Sequence, residues 1–241
     1  MTDLRHLAAL CIATMLPVPA LAEDISDERI KSLVLEAIRE NPEIVLEAID
    51  ILERERAAAQ ATSAAEVLDR WRDALEADPN APVLGNPDGD VTVVEFFDYN
   101  CPYCRRVKPE MEALLDADSN VRVVYREWPI LGDGSIFAAR AALASREQGK
   151  YEEFHWALMG MNGRAEEASV LRVAREVGLD IEQLREDMES DAVETHIADS
   201  MELTQALGFN GTPSFVIGDA LLPGFVEADA LREAVETARG D

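Results

Sequence analysis

Val91-Thr92-Val93-Val94-Glu95-Phe96-Phe97-Asp98-Tyr99-Asn100-Cys101-Pro102-Tyr103-Cys104 is the stretch of this 241-residue chain from which the fold is read. Val91 to Phe97 is apolar nearly throughout, as a central strand covered on both faces should be, and Glu95 is its one charge. Pro102 suits the first position of a helix that runs to about Asp116, and a second strand follows from Val121 to Trp128, which makes a β-α-β unit. Cys101 therefore stands between a strand end and a helix start. A thiolate there meets unsatisfied N–H groups and the positive end of the helix dipole, which lower its pKa below the roughly 8.5 of a free thiol. Cys104, one turn further on, is near enough to attack a mixed disulfide on Cys101 but points back toward the domain. Cys101 is read as the nucleophile and Cys104 as the resolving thiol.

Before this unit, Ile30, Leu33, Val34, Ala37 and Ile38 recur at helix spacing, and Asn41-Pro42-Glu43 starts a second helix. That helix carries Ile44, Val45, Ile49 and Leu52 on an apolar stripe wider than a lone exposed helix needs, so it must be buried against something. An alanine-rich stretch from Ala57 to Val67 continues the helix to Trp71. Asp78-Pro79-Asn80-Ala81-Pro82 and Gly85-Asn86-Pro87-Asp88-Gly89-Asp90 are turn clusters, and they place the domain boundary between residues 78 and 79. After the second strand, breaks at Gly149, Gly160 to Gly163 and Gly178 divide about 134–207 into three or four short helices. Ser214 to Ile217, a turn at Gly218-Asp219, a short strand through Leu222 and a helix from about Glu227 to Arg239 complete the chain.

Residues 1–22 read as a secretory signal: Arg5, an apolar run from Leu7 to Val18, and Ala20-Leu21-Ala22 for cleavage after Ala22. The mature region 23–241 is then expected in the periplasm. Cys11 leaves with the signal. A single close cysteine pair closes too small a loop to add much stability, so chemistry explains Cys101 and Cys104 better than stapling. With 48 acidic against 22 basic residues, the net charge of −26 disfavours nucleic-acid partners. No second cysteine pair completes a zinc site, His155 and His196 are given no role, and neither a metal nor another cofactor is expected. A Cu(I) site on the two thiolates is the reading from a different functional class.

Val94 to Cys104, together with Gly211-Thr212-Pro213-Ser214-Phe215, resembles the DsbA family of thioredoxin-fold proteins over about Val83 to Arg239. The helical N-terminal region and the Cys-Pro-Tyr-Cys motif are further similar to its ScsC, or suppressor-of-copper-sensitivity, branch, some members of which are trimeric disulfide isomerases. The resemblance implies an α/β thioredoxin fold with a helical insertion at about 134–207, in a domain spanning 79–241 preceded by a helical, possible oligomerisation, region at 23–78. It makes Glu95 the buried acid beneath the resolving cysteine, able to take its proton. It also makes Thr212-Pro213 a cis peptide facing the cysteines, where residue 212 offers its N–H and C=O to an extended substrate, beside Pro102 and Tyr103. Pro109 is read as a helix kink. Arg105, Arg106 and Lys108 are candidates for positive potential near the thiolate.

The strongly oxidising DsbA has histidine at the place of Tyr103. Tyrosine adds no positive charge, and Thr212 resembles the isomerase type, so the resemblance implies an isomerase or reductase, with a monomeric DsbA-like oxidase as the alternative. The expected partners are unfolded or misfolded secreted proteins, a membrane redox partner, and a second copy of the chain held through the N-terminal helices.

Overall fold

A computed structural model of the chain describes residues 26–240; the stretch read as a signal, the expected cleavage after Ala22 and Cys11 lie outside them. The elements, in order, are α1 (Asp27–Glu40), α2 (Glu43–Glu76), β1 (Val83–Gly85), β2 (Val91–Phe97), α3 (Pro102–Ala117) and β3 (Val121–Glu127). They continue with α4 (Asp133–Ala144), a 3₁₀ turn (Ser145–Gln148), α5 (Tyr151–Gly160), α6 (Glu167–Glu176), α7 (Ile181–Asp187) and α8 (Asp191–Ala206). β4 (Ser214–Ile217), β5 (Ala220–Pro223) and α9 (Ala228–Gly240) end the chain. Five strands form one sheet in the order β1-β3-β2-β4-β5, with β2 and β3 parallel and the other pairs antiparallel. This is the thioredoxin arrangement with a helical insertion that the sequence implies.

Alternation along β2 assigns its side chains to two faces. Val91, Val93 and Phe97 join Val107, Met111 and Leu114 of α3 and Leu231 and Val235 of α9 in one apolar cluster. Glu95 shares their alternation and therefore points toward the layer that carries the two cysteines. Val94 and Phe96 turn the other way, where Val124, Val216, Leu203 and Leu207 meet Leu68 and Leu75 of α2. Between β3 and β4 the insertion holds five α-helices rather than three or four, because the break between α7 and α8 at Met188–Ser190 has neither glycine nor proline to announce it. β1 was also hidden: three residues between two turn clusters offer no alternating pattern, although Val83↔Val124 and Leu84↔Val123 pair it to β3.

The chain divides into two compact units, residues 1–56 and 57–241. In the first unit α1 has no buried residue, and Ile30, Leu33, Val34, Ile44, Val45, Leu46, Ile49 and Leu52 are all exposed. The division does not fall at 78/79, where the turn residues suggested that few interactions cross. Leu68 and Leu75 are fully buried against the sheet, and Asp78 pairs with Arg126 of β3, which is itself buried. His196 of α8 completes that cluster, with Nδ1 3.0 Å from Asp78 and Nε2 2.8 Å from Glu127. Tyr151 donates to the other Glu127 oxygen at 2.7 Å. Burial works against ionisation of Asp78, but the His196 hydrogen bond, the Asn80 N–H and the Arg126 charge bring its pKa down to about 2. Among the described residues no helix is long and apolar enough to cross a membrane.

A truncation beginning at residue 57 should therefore fold, whereas one beginning at residue 79 should not. The longer deletion removes two core leucines, at about 2–5 kcal/mol each, and strips the carboxylate from a buried cation, at about 3–5 kcal/mol. Thermal melts followed by circular dichroism check this, and equal melting temperatures for the two truncations would restore the 78/79 boundary.

Candidate active site

β2 delivers the chain to the site and α3 carries it away. Cys101 is the N-cap of α3, in extended backbone conformation, with Pro102 opening the first turn. Its N–H donates to Asp98 O at 3.0 Å and its carbonyl accepts from Arg105 N–H at 3.2 Å. Both cysteines are free thiols, and each is buried. Pro102 and Tyr103 between them are exposed, so the approach to the Cys101 sulfur is framed by an apolar ring and an aromatic one.

The sulfur sits against the opposite wall of the site. Cys101 Sγ lies 3.2 Å from Thr212 O and as a thiol donates to it; the Thr212-Pro213 bond is cis. As a thiolate, Cys101 accepts from the Cys104 thiol, the Thr212 side chain and the N–H groups of Cys104 and Tyr103. The Cys104 hydrogen bond contributes most, burial opposes it, and the pKa falls to about 6. Cys104 behaves in the opposite way. Burial, its hydrogen bond to Cys101 and the Cys101 and Glu95 charges push its thiol well above the usual range. At neutral pH the Cys101 sulfur is mostly thiolate and Cys104 keeps its proton.

Glu95 is 2% exposed, and burial, followed by the nearby Cys101 charge, raises its carboxyl to about 8. Around it the sheet layer is aromatic. Tyr99 hydrogen-bonds His155 Nδ1 at 3.0 Å, and Phe97, Tyr125 and Tyr151 pack against the same imidazole. Burial and then the Lys108 charge lower His155 to about 3, so it is a neutral member of this layer.

The structure brings Cys101, Cys104, Thr212 and Pro213 together, with Glu95 on the same face of the sheet. The basic residues of α3 each make contacts of their own. Arg105 is spent on backbone carbonyls, its Nε on Tyr99 at 3.0 Å and its Nη1 on Met161 at 3.2 Å, and it braces α3 to the insertion. Arg106 lies over the rings of Phe225 and Tyr103, at 4.6 and 5.6 Å, and Lys108 pairs with Glu112. Of the three, Arg105 adds positive potential at the Cys101 thiolate, since the two charges attract each other. Missed in the sequence were Asp98 and Asn100, both buried and both hydrogen-bonded to the insertion. The only sign of them was two polar residues alternating at the end of an apolar strand, and a turn explains that equally well.

The family model described as the DSBA-like thioredoxin domain matches residues 92–236. The crystal structure of a thioredoxin-like oxidoreductase from Silicibacter pomeroyi DSS-3 is 72% identical, with a TM-score of 0.70, covering 70% of this chain and 98% of that one. A linker-deletion variant of Proteus mirabilis ScsC is 28% identical, with a TM-score of 0.69, over 92% of this chain and 99% of that one. The Na(+)/H(+) antiporter NhaA 1 of Salinispora arenicola (strain CNS-205) is 32% identical over 158 residues, 65% of this chain and 24% of the antiporter. The chain thus spans about a quarter of the length of such antiporter relatives.

A thiol lowered to about 6 is mostly thiolate at pH 7 and mostly protonated at pH 5. Alkylation of the reduced protein by iodoacetamide should occur at Cys101 alone, and its rate at pH 5 should be about a tenth of the plateau above pH 7, since only the thiolate reacts. Peptide mass spectrometry across the pH range gives the midpoint. A midpoint near 8.5, or alkylation shared with Cys104, contradicts the geometry described.

Proposed function

The chain belongs to the DSBA-like thioredoxin domain family, and from that membership we propose that it is a periplasmic protein thiol–disulfide oxidoreductase leaning to isomerase and reductase chemistry. The observation that carries this reading is the Cys101 sulfur at the start of α3, hydrogen-bonded to its partner cysteine and to Thr212. The Cys101 thiolate attacks one sulfur of a substrate disulfide. A Cys101–substrate disulfide forms as the substrate's S–S bond breaks, and the second substrate sulfur leaves as a thiolate. In isomerisation that substrate thiolate, or another, attacks a different disulfide and finally expels Cys101 unchanged, with no net electron transfer. In reduction Cys104 attacks the Cys101 sulfur, the substrate departs as a thiol, and the enzyme keeps the Cys101–Cys104 disulfide until a membrane redox partner reduces it.

Glu95 supplies the proton acceptor for Cys104. While Cys101 is a thiolate, its charge and the apolar surroundings keep the Glu95 carboxyl protonated. Formation of the mixed disulfide removes that charge, so Glu95 ionises more readily at the stage when Cys104 must lose its proton. Thr212 offers backbone groups to an extended substrate, next to the exposed Pro102 and Tyr103. A thiolate near 6 is less stabilised than the roughly 3.5 of the strongly oxidising DsbA, which supports a pair kept partly reduced. The exposed apolar residues of α1 and the first part of α2 support self-association, and several sites around one cleft suit isomerisation.

Cys101→Ser should abolish activity on protein disulfides, and Cys104→Ser should accumulate mixed disulfides visible on non-reducing gels. Equal activity in the two variants reverses the assignment. Glu95→Gln should slow resolution by Cys104 at pH 7, measured by stopped-flow after mixing with a disulfide peptide. It should also stabilise the reduced protein. A carboxyl raised to about 8 binds its proton more tightly when folded than at the ordinary 4.5, so the native protein loses stability as pH rises between those values. The gain from Gln should be absent below about pH 4.5, grow with pH and level off above about 8. Unchanged Cys104 kinetics remove Glu95 from the mechanism.

Self-association is tested by light-scattering mass and by refolding of a scrambled multi-disulfide substrate, for the mature protein and for the truncation at residue 57. The truncation should be monomeric, keep dithiol chemistry and lose most isomerisation. A mature protein that is already monomeric favours the DsbA-like oxidase or reductase instead.

A further inference from the structure

Three residues before Cys101 the chain buries a carboxyl group for which the exchange reaction has no direct use. Asp98 is 2% exposed and its oxygens accept four hydrogen bonds. Oδ1 takes the Asn100 N–H and the Ser135 hydroxyl, each at 2.7 Å, and Oδ2 takes the N–H groups of Ile130 at 2.8 Å and Leu131 at 2.9 Å. Its donors come from three places: the turn itself, the loop after β3 and the first turn of α4. The main chain of Asp98 is committed to the other side. Its carbonyl accepts the Cys101 N–H at 3.0 Å, and its N–H is hydrogen-bonded to the Cys104 sulfur.

Asn100 repeats the clamp one alternation later. Nδ2 donates to Ser135 Oγ at 3.1 Å and to Ala165 O at 3.0 Å, and Oδ1 accepts from Ala165 N–H at 2.7 Å. Gly134 permits this approach, because a Cβ there would collide with Ala165 O. The peptide groups on both sides of Asp98, one aimed at each cysteine, are thus held by side-chain bonds to the insertion as well as by the strand.

We infer that Asp98 is a positioning residue: by anchoring its own peptide groups to the loop after β3 and to α4, it aims an N–H at Cys104 and sets how fast Cys104 resolves a mixed disulfide on Cys101. The inference rests on the exchange reaction proposed above. Cys104 is buried, so its attacking thiolate depends on the few donors within reach, and Asp98 N–H is one of them. A merely structural Asp98 would lower stability when replaced, since four buried donors lose their acceptor, but would leave the resolution rate alone.

The test uses the reduced mature protein and glutathione disulfide. The Cys101 thiolate attacks the probe, forms the Cys101–glutathione disulfide and releases one glutathione thiolate. The Cys104 thiolate then attacks the Cys101 sulfur, closes the Cys101–Cys104 disulfide and releases the second glutathione thiolate, which takes up the proton that Cys104 gave up. Acid quenching and intact-mass spectrometry separate the two steps. Asp98→Asn should lengthen the lifetime of the glutathione adduct about tenfold, the size of a lost hydrogen bond to a charged group, while adduct formation stays within about twofold of wild type. Ser135→Ala, which removes one of the four donors and keeps the rest, should lengthen it by a smaller factor. A folded Asp98→Asn with wild-type adduct lifetime, or one that slows both steps equally, overturns the inference. If Asp98→Asn does not fold, Ser135→Ala is judged on the same two rates, and an unchanged adduct lifetime there overturns it. A wild-type protein that forms no adduct overturns the exchange reading, and the positioning role with it.

Discussion

Everything at the site depends on keeping a negative sulfur at the edge of an apolar core. A thiolate needs donors, while the sheet beneath it offers mostly hydrocarbon and aromatic rings. The chain answers by placing Cys101 at a helix N-cap, where backbone N–H groups have no helical partners, and by opening that helix with proline, which has no N–H to leave unused. The remaining donors come from Cys104 within the same turn and from Thr212 across the fold. Since β2 and β4 are paired with Glu95 opposite Phe215 and Phe96 opposite Ser214, the register of two strands decides whether Thr212 reaches the sulfur at all. A slip of one residue would also turn Glu95 toward the α2 face and leave the cysteines without an acid beneath them.

The parts of this arrangement written in consecutive residues were legible. A strand with one internal charge, a proline after a cysteine and a second cysteine one turn later each carry a local physical signature, and β2, α3, β3, β4, β5 and α9 followed from them. What joined distant residues was legible only where the family resemblance supplied it, as it did for Thr212-Pro213. His196 lies 118 positions from the Asp78 that it meets, and nothing in the isolated helix marks it as an ion-pair partner. Arg105, one residue past the motif, does share a charge attraction with the thiolate, but nothing local announced that its guanidinium also reaches the carbonyls of Tyr99 and Met161. The turn residues at 78–82 were read correctly as a helix stop and wrongly as a domain edge. A turn marks where the chain changes direction, and it gives no information on whether the helix before it has already packed against the core, as Leu68 and Leu75 have.

The two buried polar clusters differ in what they ask of the fold. The Asp78, Arg126, His196 and Glu127 group neutralises charge with charge, and it ties the end of α2 and the middle of α8 to β3. Such a group stabilises only while every member is present, because any one removed leaves its neighbours unpaired in a dry interior. The Asp98 and Asn100 group is held mainly by backbone N–H groups and hydroxyls, which are fixed in place by the loops that carry them. The first cluster joins helices to the sheet, and the second joins the insertion to the turn that presents Cys101. In this way the five inserted helices become a support for the turn that carries Cys101.

Glu95 and Cys101 are best understood as one proton inventory rather than as two separate groups. They face the same low-dielectric layer, and the charge on either raises the cost of charge on the other. With the sulfur ionised, the carboxyl holds its proton and the layer carries one negative charge. Capping the sulfur with substrate removes that charge, and the carboxyl is then the group most easily ionised, while Cys104 still carries a proton that burial makes hard to lose. In the proposed exchange Glu95 first gives its proton to solvent, which restores one negative charge to the layer; taking the Cys104 proton then moves that charge to the attacking sulfur, and closure of the Cys101–Cys104 disulfide passes it to the departing substrate thiolate. Counting only Glu95 and the two cysteine sulfurs, the negative charge never rises above one along this sequence, and a single carboxyl in an otherwise apolar strand is sufficient for it.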